Sequence, residues 1–103
     1  MKDIIKISEP QYIIIREKDN RKEYFSSANI YGKDDNGVLR VINPKWSKRF
    51  LPISSAYNLN RMKEILNGMY KYGKIENQYT YVIAKIQTTT AIIDYIISNE
   101  EED

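Results

Sequence analysis

Two residue types are missing from this chain of 103 residues: it has no cysteine and no histidine. Without cysteine there is no disulfide framework, no iron–sulfur site and no thiol nucleophile. Without histidine the usual proton shuttle near neutral pH is gone, as is the commonest transition-metal ligand. Together the two absences exclude Ser-His-Asp and Cys-His catalysis, thiolate or imidazole zinc, and HExxH chemistry. Long apolar runs are missing as well. The longest, residues 12–15 and 81–84, and the run at 95–97 fall far short of the ~18 apolar residues that span a bilayer. Residues 1–7 lack the apolar core and small-residue cleavage site of a secretory leader. The expectation is a cytoplasmic protein, with no membrane partner and no cofactor.

What is present fits one small domain over residues 1–99, followed by an acidic tail at 100–103. A chain of this length buries roughly 60–68% of its unfolded surface, enough for one modest core. Ile (17), Lys (11), Asn (9) and Tyr (9) are abundant while Leu occurs four times. All four favoured residues have AT-rich codons, which points to a low-GC genome and inflates apparent strand propensity. The net charge of +2 conceals a segregation. Residues 1–35 are neutral, residues 36–93 carry +7, and residues 94–103 carry −5. No acidic residue lies between Asn36 and Lys63. A basic surface with an acidic tail is the natural reading.

Hydrophobic periodicity supplies the elements. Residues 3–7 read as a strand or arm that stops at Ser8-Glu9-Pro10, because proline removes a donor and restricts its predecessor. Residues 11–17 are β-branched and aromatic, hence a strand. The segment Lys18-Asp19-Asn20-Arg21 turns the chain into a second strand at 22–31. A polar loop ending in Asn36-Gly37 leads to a third strand at 38–42, expected to end at Asn43-Pro44. Residues 45–52 read as irregular. Ser54 or Ser55 is the expected cap of a helix over about 56–72, its apolar stripe formed by Ala56, Leu59, Met62, Leu66 and Met69. Ile65 and Tyr70 widen that stripe. Gly73 is expected at C′ with Ile75 at C″ making the apolar contact. Gly68, inside the stripe, costs about 1 kcal/mol relative to alanine unless close packing requires it. Residues 79–87 form a fourth strand, with Thr80, Val82, Ala84 and Ile86 on one face. Residues 88–98 read as strand or helix, the β-branched content favouring strand. The expected fold is α+β: an antiparallel sheet of four to five strands with one main helix packed on one face.

The pair Tyr24-Phe25, then Trp46, Lys48 and Phe50, then Ala56 and Val82-Ile83-Ala84-Lys85-Ile86, occur in an order that resembles short uncharacterised phage and prophage proteins of low-GC bacteria. The likeness spans roughly residues 11–87. Ser47 stands where alanine is more usual, and the ending from Thr88 has no counterpart. The resemblance implies a phage context and a small ββαβ-type module; it brings no shared activity.

This inventory leaves room for few chemistries. Asp34-Asp35-Asn36-Gly37 lacks the alternating spacing and distal glutamate of a calcium loop, so it reads as a hairpin loop. No glycine precedes the helix, so no phosphate-cradling loop feeds it. Arg40, Lys48, Arg49, Tyr70 and Tyr81 are the types that a histidine-free ribonuclease, as in small toxins of toxin–antitoxin systems, would need, but those toxins typically carry an early helical hairpin and this chain opens with strands. The chain is therefore expected to be no enzyme. Arg40, Lys45, Trp46, Lys48, Arg49 and Phe50 concentrate charge and rings within eleven residues, with Tyr79 and Tyr81 sharing a strand face. These eight are the candidate binding residues. Trp46 and Phe50 are also expected to be at least half buried as core anchors. The leading expectation is a non-enzymatic phage or mobile-element protein that blocks or redirects a host protein, such as a defence nuclease. The alternative is an RNA or single-stranded DNA binder using the basic aromatic surface. A homodimer through an edge strand is a further expectation.

Overall fold

The computed structural model describes residues 3–50, 58–87 and 89–92. Among these, six strands and one helix follow in the order β1 (Asp3–Ile7), β2 (Gln11–Lys18), β3 (Arg21–Lys33), β4 (Leu39–Ser47), α1 (Leu59–Lys71), β5 (Thr80–Ile86) and β6 (Thr89–Ile92). The fold is α+β, as expected. An antiparallel sheet of order β4-β3-β2-β5 forms the body, and β1 pairs with β6 in a separate two-stranded ribbon.

Turn chemistry sets the first hairpin. Asp19 (φ 52°) and Asn20 (φ 63°) both adopt left-handed backbone. That is the two-residue geometry whose twist matches antiparallel strands, and Asp and Asn tolerate it best after glycine. Lys18 consequently pairs with Arg21 and Ile15 with Tyr24. The β3–β4 connection is built differently. Asp34 and Gly37 close a turn (Gly37 N to Asp34 O, 2.9 Å), and the Asp34 carboxylate accepts from the backbone N–H groups of Asn36 and Val38. Of Asn36-Gly37 only the glycine has positive φ, at 77°.

β4 departs from expectation. It runs through Asn43-Pro44 to Ser47 instead of ending there, so residues 45–47 are strand and not irregular. Asn43 is left-handed (φ 51°), and the pairing with β3 shifts between Ser27 and Asn29, so the dipeptide forms an irregularity within the strand. Proline is tolerated because β4 is an edge strand.

α1 opens later than expected. Asn58, not Ser54 or Ser55, is its cap, accepting from the Arg61 N–H at 2.8 Å; residues 51–57 lie outside the described residues. The buried face is Met62, Ile65, Gly68 and Met69; Leu66 of the expected stripe is only partly buried against the core, and Tyr70 is exposed. The C-terminus is a Schellman motif: Lys74 N–H donates to Met69 O (2.8 Å), Gly73 N–H to Tyr70 O (3.4 Å), and Gly73 has φ 69°. C″ is therefore Lys74; Ile75, one residue on, still packs against the core.

The core joins Ile13, Ile14, Phe25, Leu39, Val41, Met62, Ile65 and Met69. Ile13 and Ile14 are adjacent, point to opposite faces of the sheet, and are 1% and 0% exposed, so β2 is covered on both sides. α1 packs on β4, β2 and β5. Gly68 is demanded by this packing: a Cβ there would lie 2.4 Å from Leu39 O and 2.6 Å from Val41 Cγ2. Of the ambiguous stretch 88–98, residues 89–92 are strand and residues 93–98 lie outside the described residues, as does the 100–103 tail. No helix among the described residues is long and apolar enough to cross a membrane.

Candidate functional site: an arginine-centred aromatic cluster beside a basic hollow

The strand alternation that puts Ile14 on one face of β2 puts Tyr12 and Arg16 there as well. Arg16 pairs across β3 with Glu23 and across β5 with Tyr81. Its Nε donates to Glu23 Oε1 at 2.7 Å and its Nη1 to Glu76 Oε2 at 2.7 Å. The guanidinium also faces two rings, 4.5 Å from the Trp46 centroid and 4.1 Å from that of Tyr79. Trp46 meets Phe25 and Tyr81 edge-on at 5.8 Å each, and Tyr79 lies 6.4 Å from Tyr81. The Glu76 N–H donates to the Tyr81 hydroxyl at 3.1 Å, which pins the segment after α1 to the sheet.

With 12% of its side chain exposed, Arg16 is a largely desolvated cation between two carboxylates and two ring faces. Burial works against its charge, but hydrogen bonds with Tyr81, Glu23 and Glu76 outweigh that and raise its pKa, so it is charged at any working pH. A planar guanidinium is the one side chain that serves both carboxylates and both rings together.

Next to this cluster, at the β2–β3 turn, lies a hollow of about 630 Å³ lined by Lys18, Asp19, Arg21, Lys22, Glu23, Lys48 and Tyr79. Glu23 is engaged by Arg16. Among the described residues no ion pair engages Lys18, Arg21, Lys22 or Lys48, though Lys18 Nζ stands 5.8 Å from the Tyr79 ring. The hollow is thus cationic, with Asp19 its one uncommitted acid.

The eight candidate residues divide. Trp46, Tyr79 and Tyr81 come together around Arg16, and Lys48 joins Tyr79 at the hollow. Phe50 lies against Tyr24 instead, edge-on at 6.0 Å. Lys45 and Arg49 are exposed, Arg49 giving its backbone N–H to Ser47 Oγ at 3.2 Å. Arg40, also exposed, belongs to the opposite end of β4, near Tyr72. Trp46 and Phe50 are both mostly buried. Sequence reasoning missed Arg16, Lys18, Arg21, Lys22 and Glu76. One signal was there for Arg16: within residues 11–17, the strand read from the sequence, it is the one charged residue in phase with Tyr12 and Ile14.

No family model, curated protein or solved structure matches the chain.

Proposed function

We propose that the protein is a non-enzymatic binding protein of a phage or mobile element that blocks or redirects a host protein, and that it engages an acidic surface with its basic hollow. The observation that carries this is the division of labour around Arg16. The rings that nucleic-acid bases would stack on are already occupied: Trp46 and Tyr79 each present a face to the guanidinium. What faces solvent beside them is charge held on a rigid support, namely Lys18, Arg21, Lys22 and Lys48. Uncommitted cations on a preorganised scaffold suit electrostatic recognition of an acidic protein face, whereas single-strand binding calls for open aromatic platforms.

The test pairs the wild type with a Lys18→Glu/Lys48→Glu variant in capture from host lysate. The wild type should retain a stoichiometric protein after nuclease treatment, and the variant should lose at least tenfold of it. Equal capture by both would remove the hollow from the reading. Retention of single-stranded oligonucleotides that falls steeply between about 50 and 200 mM salt would replace the protein partner with a nucleic acid.

A further inference from the structure

The two edges of the four-stranded sheet are unlike. β4 is a poor template for another strand: its pairing with β3 is interrupted three times, Pro44 has no N–H, Asn43 is left-handed, and Arg40 and Lys45 are exposed along it. These are the devices that keep an edge from pairing. β5 has only one of them, the exposed Lys85. Its seven residues, Thr80-Tyr81-Val82-Ile83-Ala84-Lys85-Ile86, contain no proline or glycine and pair with β2 without a single shift in register. Among the described residues no strand lies on its outer side, and Val82 is 55% exposed.

We infer that β5 pairs antiparallel with β5 of a second copy, joining two sheets into one of eight strands. The segment is self-complementary. When all seven residues pair about Ile83, Thr80 stands opposite Ile86, Val82 opposite Ala84, and Lys85, the only charged residue, opposite Tyr81. No like charges meet, and a lysine against an aromatic ring is a favourable cross-strand pair. Residues of the same phase face each other, so both helices stay on one side of the joined sheet.

The ribbon lies beyond this pairing. The β2–β5 ladder, which ends with Gln11 opposite Ile86, continues as β1–β6 with Ile7 opposite Thr89. In its own chain this ribbon touches no other element among those described, and a lone two-stranded ribbon is marginal in water. Pairing about Ile83 ends with β5, because the chain turns at 76–79, where the Tyr79 N–H donates to Glu76 O at 3.1 Å. It also sets the two Tyr79 residues about 27 Å apart along the strand direction at ~3.4 Å per residue, one basic hollow at each. The pairing stands whatever the hollows bind.

Sedimentation equilibrium of the full chain from about 1 to 500 µM tests the pairing. The mass should rise from the monomer's 12.2 kDa toward twice that value. Thr80→Lys/Val82→Lys places four added like charges near the two-fold axis at exposed positions, and should weaken the dimer at least tenfold while leaving the far-UV circular dichroism unchanged. Hydrogen exchange of the wild type reads the same contact without a variant: amides in residues 80–86 should exchange more slowly as concentration rises. A 12.2 kDa mass throughout, exchange independent of concentration, or an undiminished dimer of the folded double variant would each overturn the pairing.

Discussion

Two ionic centres tie the end of α1 to the sheet, and they are built around opposite charges. One is Asp34 in the β3–β4 connection, which takes Lys71 Nζ, the Tyr72 hydroxyl at 2.7 Å and two backbone N–H groups. The other is Arg16 on β2, which takes Glu23, Glu76 and the faces of Trp46 and Tyr79. Asp34 spends its oxygens closing its own loop and fixing the last turn of the helix. Arg16 gathers side chains from β2, β3, β4, β5 and the segment after α1, and orders the rings beside the basic hollow. A carboxylate can satisfy itself with nearby N–H and O–H donors, while a guanidinium offers a plane and a fork that reach across several strands. The anionic centre therefore supports a loop, and the cationic centre supports a surface.

The largest way to break that contrast is Arg16→Met. It leaves Glu23 and Glu76 without their cation and the rings without their clamp, and should cost about 3 kcal/mol in urea denaturation. Lysine at the same position should recover only part of this, since it keeps the charge and loses the fork. A loss below about 0.5 kcal/mol for Arg16→Met would make the cluster ornamental to stability.

Gly68→Ala probes the helix between the two centres. Helix propensity alone predicts a gain of about 1 kcal/mol. Contact with Leu39 O and Val41 Cγ2 predicts instead a loss of about 1–3 kcal/mol, and the packing should win because backbone cannot move aside cheaply. The sign of the change in midpoint decides between them.

The smallest effect belongs to Asp34→Asn and is best read against pH. Hydrogen bonds from Lys71, then from Tyr72, then from the Val38 N–H hold the Asp34 carboxyl well below the usual carboxylate range. The unfolded chain therefore binds more protons at this group than the folded one. Its contribution is complete above the ordinary carboxylate pKa of about 4 and declines as pH falls below it toward the depressed folded value. Wild type should lose stability to Asp34→Asn at pH 7, and the gap between them should narrow by about pH 2–3. A gap independent of pH would assign the loss to geometry alone.

How much of this was legible follows from how far each contact reaches along the chain. The Asp19-Asn20 turn, the left-handed Gly73 and the special status of Gly68 were all readable, because each depends on a residue's own backbone freedom and on neighbours a few positions away. β4 was misread at Asn43-Pro44, since a proline breaks a central strand but not an edge, and strand order is not a local property. The cap was misplaced because serine and asparagine are about equally good caps and both occur within a few residues.

The charge segregation illustrates the same division. By segment, residues 1–35 are neutral and the basic body begins at 36. In the fold, Lys18, Arg21 and Lys22 from that neutral third meet Lys48 at one hollow, while Arg40 from the basic body lies elsewhere. Composition, periodicity and turn residues determined an α+β fold with one principal helix, the positions of most strands and no histidine or cysteine chemistry, because those depend on residue type and spacing alone. Which strand became an edge, which rings met, and which charges were left free were decided only when residues 16, 23, 46, 76, 79 and 81 came together. Contacts over such separations are set by register and packing, which no local pattern encodes.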